Sequence, residues 1–162
     1  MRNVWRVFSI MALLVAVSAC ETGYTGLHAT ALGNCAPDAQ QRVQATDWSG
    51  METIDIKAGE VLFSTSQIYL KPQHPYLFRI ANEDTSGHYF QAREFFHAAA
   101  IKEVVKNNRY RKPCINSVWL APQEKIEVQL VTGEPGKYEF VDGNFLVEYI
   151  TAGNAAGIIV VE

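Results

Sequence analysis

Apolar and polar residues alternate along much of this chain from Thr53 onward, and a period of two marks half-buried strands. In TIDI, Ile54 and Ile56 share one face. In SQIYL, Ile68 and Leu70 alternate with Gln67 and Tyr69. After a turn at Lys71–His74, the residues Tyr76, Phe78 and Ile80 line one face of a further strand. Pro72 suits the turn, and Pro75 suits only the first residue of a strand. AGE is a turn, VLF is short and apolar, and NEDTSGH reads as a loop. INSVWL, KIEVQLV and KYEFV are three more strands, separated by a turn at Pro122 and by TGEPG. A last strand spans Ile158–Val161. The loop before it, Asp142 to Gly157, is long for a hairpin, and loops of that length in compact domains usually have a function or are mobile.

One stretch breaks the period. In AREFFHAAAIKEVVKN, the positions Phe95, Ala98 or Ala99, and Lys102 follow a loose helical spacing, while IKEVV reads equally well as a strand. The pattern predicts a short helix at Ala92–Ala98 and extended chain after it. APDAQQRVQA can make another short helix, with Asp38 near its start. Several short strands punctuated by turn signals predict an all-β fold, a sandwich or a barrel.

The first nineteen residues have a different character. Arg2 and Arg6 precede the apolar run VFSIMALLVAVSA, which is too short for a comfortable membrane span and fits a cleaved leader. Ser18 and Ala19 followed by Cys20 resemble a bacterial lipobox, which predicts a signal peptide at 1–19 and a lipid on the Cys20 thiol. The alternative is an ordinary signal peptide with an incidental cysteine. Acyl chains contribute roughly 0.8 kcal/mol per buried methylene, so such a protein is held on a membrane without spanning it. That places it on the periplasmic side of a bacterial membrane. By resemblance to enterobacterial sorting, Glu21 in place of Asp slightly favours the outer membrane. Residues 20–50, rich in Thr, Gly, Ala, Gln and Asp, read as a tether and an irregular docked segment, and 51–162 as the domain.

Composition narrows the partners. Hydrophobic residues make up 48% and charged residues 19% of the 162, so a packed core is feasible. The formal net charge is −3, and losing Arg2 and Arg6 with the leader takes it to −5. No basic stripe is present, which argues against nucleic acid. A mildly acidic face suits a cationic or metal-bearing partner, and more often simply aids solubility. Cys35 and Cys114 remain in an oxidising compartment. They predict a disulfide that pins the N-terminal segment, with buried thiols as the alternative. There is no Gly-rich phosphate loop, no G-x-S-x-G elbow and no HExxH, so nothing supports an enzyme.

The segments YLFRIANED, GHYF, LAPQEKIEVQLVTGEPGKYEFV and AGNAAGIIVVE together resemble the cupredoxins, the plastocyanin and azurin class, over roughly Ile54 to Glu162. The resemblance implies a Greek-key β-sandwich. It also implies a mononuclear copper held by a histidine after an Asn-bearing strand and by Cys, His and often Met from the final loop. A thiolate and two imidazoles in a trigonal set with a weak axial ligand make the blue site. His88 in SGHYF matches the first histidine. Asp142 stands where the cysteine would, and from Ile115 to Glu162 there is no Cys, His or Met.

On these grounds the chain is expected to lack the blue-copper ligand set. It is expected to take no cofactor and to act in binding or assembly beside an envelope protein partner, anchored to the membrane by its lipid. The alternative is a copper-binding protein, a chaperone or electron carrier, that uses His88 with oxygen ligands. His88 with Asp142 is a nitrogen–oxygen pair suited to Cu(II) or Zn(II) and poorly to Cu(I). Glu148 or His97 are the added donors to consider. Asp142 before Gly143 is also a good turn pair. His97 reads as a surface or core-edge residue and His74 as a turn residue, while His28 lies in the tether. The apolar run FLVEYI, with Phe145 and Tyr149, sits where the resemblance places the metal loop. It reads as a plug of the old site in preference to an exposed patch.

Overall fold

The computed structural model describes residues 27–28, 35–59, 63–106, 108–110, 114–142 and 155–162. The leader, Cys20 and the segment 143–154 with FLVEYI and Glu148 lie outside the described residues.

Among the described residues, eleven strands form two sheets. They are β1 (Leu27–His28), β2 (Glu52–Ala58), β3 (Gln67–Leu70), β4 (Pro75–Asn82), β5 (His88–Gln91), β6 (Ala100–Lys106), β7 (Asn108–Tyr110), β8 (Ser117–Leu120), β9 (Lys125–Val131), β10 (Gly136–Asp142) and β11 (Ala155–Val161). One sheet runs β1-β8-β5-β10-β11-β3 and the other β2-β4-β9-β6-β7. Two pairings are parallel, β2 with β4 and β3 with β11; the rest are antiparallel. The alternation left a sandwich or a barrel open, and the sandwich implied by the resemblance is what forms.

The core lies between the sheets. From β4 it takes Tyr76, Phe78 and Ile80, and from β9 Ile126, Val128 and Leu130. The facing sheet supplies Phe90, Val118, Leu120, Phe140 and Ile159. The helix α2 (Arg93–Ala98) inserts Phe95 and Phe96, both almost wholly buried. Phe95 stacks on Phe78 at 5.5 Å between ring centroids, and Phe96 meets Phe90 edge-on at 6.0 Å. Two adjacent phenylalanines can both be buried here because the short helix lies between partners in both sheets.

The segment before Met51 is more regular than expected. The helix α1 (Ala39–Ala45) and a 3-10 turn at Trp48–Gly50 pack against β6 and β9. They build a second apolar cluster of Ala39, Ala100 and Val131, with Val43 and Trp48 against it. Arg42 on α1 donates from Nη2 to the Ala98 carbonyl at 2.8 Å and from Nη1 to that of Thr132 at 3.2 Å. Leu27 and His28, in the stretch read as a tether, pair with Val118 and Ser117 on β8.

The last hairpin also differs from expectation. Asp142 closes β10 as a strand residue paired with Phe90, where turn chemistry was the competing reading. Gly157 belongs to β11, because only a residue without a side chain fits there. A Cβ would stand 2.3 Å from the Ser66 carbonyl oxygen and 2.5 Å from the Phe140 ring.

Candidate functional site

At one end of the first sheet, β5 begins, β10 ends, and the loop from β4 passes over both. The strand β5 escaped the sequence reading because HYFQ is only four residues long. His88 is its first residue, paired with Leu120 of β8, and is 7% exposed. On the edge of β10 away from β11, Val141 and Asp142 pair with Gln91 and Phe90. That register sets Asp142 diagonally across from His88, which stands two residues along β5 from Phe90.

His88 sits between two carboxylates. Its Nδ1 meets Asp142 Oδ2 in a short contact, and its Nε2 lies 2.9 Å from Asp84 Oδ2. The other Asp142 oxygen accepts the Tyr89 backbone N–H at 2.9 Å. Ser86 Oγ is 2.7 Å from Asp84 Oδ2 and 3.3 Å from His88 Nε2. The expected pair His88 and Asp142 is therefore brought together by the fold. Asp84 and Ser86 were missed. Their signal was the alternation DTSGH, which sets residues 84, 86 and 88 two apart in a segment read only as a loop.

Buried polar groups need partners, and Asn82 supplies several at once. Only 2% exposed, it donates through Nδ2 to the carbonyls of Ser86 at 2.7 Å, Ala121 at 3.0 Å and Leu120 at 3.2 Å. Its Oδ1 accepts the Asp84 N–H at 2.9 Å. From the other side Gln123 donates to the carbonyls of Glu83 and Asp84, at 2.9 and 3.1 Å. Gln123 does so from the left-handed region, φ 60°, one residue after Pro122, where a turn of this kind usually carries Gly or Asn.

The electrostatics follow from these contacts. Burial pushes the His88 pKa down. The hydrogen bonds and charges of Asp142 and Asp84 outweigh that, and the net direction is upward. Asp84 is held well below the usual carboxylate range by hydrogen bonds from Ser86, His88 and the Thr85 backbone.

His97 and His74 are apart from this cluster. His97 lies at the core edge with Nε2 on the Asn116 side chain, and His74 lies in its turn beside Glu52 at 3.1 Å. Neither joins His88. Cys35 and Cys114 are joined, with 5.6 Å between their Cα atoms.

Whether these residues fit copper depends on which copper. A blue site does not fit, since the position expected to hold a thiolate holds Asp142 hydrogen-bonded to the ring. Among the described residues, no three His, Cys, Asp or Glu side chains are arranged to hold a metal ion. Asp84 and Asp142 occupy opposite ring nitrogens and do not converge on one point. What remains is imidazole with hard oxygens, a donor chemistry that suits Cu(II) or Zn(II).

No family model and no curated protein matches the sequence. Solved structures do. A multi-copper oxidase from Pseudomonas thermotolerans superposes with a TM-score of 0.53 at 18% identity, over 72% of this chain and 31% of that one. Auracyanin A, a "blue" copper protein from Chloroflexus aurantiacus, gives 0.47 at 16%, over 70% of this chain and all of its own. Auracyanin B gives 0.48 at 13%, over 72% and 93%. The fold is cupredoxin-like. The expectation of no cofactor is corrected by this finding: proteins that share the fold are copper proteins by name, so the loss of a thiolate does not license an empty site. Among the described residues, no helix is long and apolar enough to cross a membrane.

Proposed function

Taking the cupredoxin-like fold as premise, we propose that this chain binds copper as a nitrogen- and oxygen-ligated Cu(II) ion at His88. In this reading it serves in the bacterial cell envelope as a binding or assembly protein. It is exported, cleaved before Cys20 and anchored by a lipid there, with Cys35 and Cys114 oxidised. The observation that carries the reading is a buried imidazole, at the place where the resemblance puts the metal, with a carboxylate oxygen at each of its ring nitrogens. Hard oxygens favour Cu(II) over Cu(I). A site of this kind keeps one oxidation state, which suits holding or delivering the ion better than passing electrons.

The test is copper loading of the mature protein. The expected result is an electron paramagnetic resonance signal of tetragonal Cu(II) with no intense band at the red end of the visible spectrum. The signal disappears in His88→Ala. An intense visible band, or a Cu(II) signal that survives His88→Ala, overturns the reading. The anchor is tested separately: Cys20→Ala moves the protein out of the membrane fraction.

A further inference from the structure

We propose that the metal-bearing nitrogen of His88 is Nε2, that Asp84 and Ser86 complete a divalent-cation site on that side of the ring, and that Asp142 is a positioning carboxylate and no ligand. This rests on the reading above and names the donors within it.

Three donor atoms already form a triangle there. Asp84 Oδ2, Ser86 Oγ and His88 Nε2 are separated by 2.7, 2.9 and 3.3 Å. Bonds of about 2.0–2.2 Å to nitrogen and oxygen, at tetrahedral or square angles, put neighbouring donors roughly 2.8–3.6 Å apart. The triangle is thus close to one face of a coordination polyhedron. Water fills the other positions of such a site, and two side chains with one hydroxyl hold an ion less tightly than three or four full ligands would.

On the Nδ1 side both Asp142 oxygens are engaged, one by the ring and one by the Tyr89 N–H. Histidine ligands commonly donate their second N–H to a carboxylate, which fixes the tautomer and turns the other nitrogen's lone pair toward the metal. Asp142 is placed for that role. A ligand role would require opening its contact with Nδ1.

The triangle is also rigid. Asn82 and Gln123 hold the backbone of residues 83–86 through the bonds described above, and Asp84 and His88 side chains are 8% and 9% exposed. Sites held by a supporting shell in this way lose little on ordering. A surface cleft lined by Lys57, Ser64, Glu83, Asp84 and Thr85 borders the Asp84 corner of the triangle. Two carboxylates around a neutral ring also balance a divalent charge.

The experiment uses nitrogen-15-labelled mature protein, with Zn(II) as a diamagnetic stand-in for Cu(II) and long-range proton–nitrogen spectra of the His88 ring. Zinc is expected to move Nε2 to its metal-bound position and leave Nδ1 protonated. Asp84→Asn is expected to weaken zinc binding by about tenfold or more. Asp142→Asn weakens it while the ion stays on Nε2. Zinc on Nδ1, unchanged affinity in Asp84→Asn, or a His88 ring that ignores zinc each overturns this assignment. The copper signal in His88→Ala decides the broader reading independently.

Discussion

His88 shows how one residue gathers a site. The imidazole is buried enough to disfavour its charge, yet two carboxylates hold the proton on it. A base whose pKa is raised on folding adds stability that is complete below its unfolded value near 6.5 and is lost as pH rises through the folded value. Asp84, whose pKa is lowered, adds stability that is complete above about 3.8 and is lost as pH falls through its own folded value. Both contributions are present between those two values. The metal-free protein should therefore show a larger gap in melting temperature between wild type and His88→Gln at pH 6 than at pH 9. An equal gap at the two values would mean that the carboxylates do not hold the proton. The pair His88 and Asp142 was legible in the sequence. Asp84 and Ser86 were not, because a loop's alternation has no meaning until its backbone is pinned, and the pinning is done by Asn82 at the end of β4 and by Gln123 from far along the chain.

Among the elements, the alternating strands were the most readable. In β4 and β9 every apolar residue of the pattern faces the core, since period two and one buried face determine each other. The short helix α2 was expected at Ala92–Ala98 and found at Arg93–Ala98. The end of β10 and the start of β11 were misread as loop because Asp-Gly is a turn dipeptide and an isolated glycine such as Gly157 interrupts a strand pattern on local grounds. Tertiary pairing overrode that preference. Gly157 is there for close approach, as β11 passes over Phe140 and alongside Ser66. Gly157→Ala should lower stability by about 1–3 kcal/mol through overpacking, measured by urea unfolding. A neutral result would place β11 farther from β3 than described.

For the molecule as a whole, the two sheets are supplemented by the docked segment α1, which is held by Arg42, by the apolar contacts of Val43 and Trp48, and by the Cys35–Cys114 link. The link closes a sequence separation of 79 residues. Constraining a loop of that size in the unfolded chain typically contributes about 2–4 kcal/mol. Adding reductant, or making Cys35→Ser with Cys114→Ser, should lower the unfolding free energy by that amount, read as a lower urea midpoint. Identical curves with and without reductant would mean that the thiols are free in solution. The docking of α1 was only partly visible in the sequence, which offered a short helix with Asp38 at its start and no sign of what it would pack against.

The all-β class, most strand positions and the short helix could be read without coordinates, because they depend on local periodicity. So could the absence of Cys, His and Met from Ile115 to Glu162, since residue identity needs no coordinates. Folding was needed to join Cys35 to Cys114 and to set Asp142 beside His88. The pairing of β5 with β10 and a buried asparagine bring Asp84, Ser86 and Asp142 around the His88 ring, and contacts between residues up to 54 apart in the chain leave no local period to read.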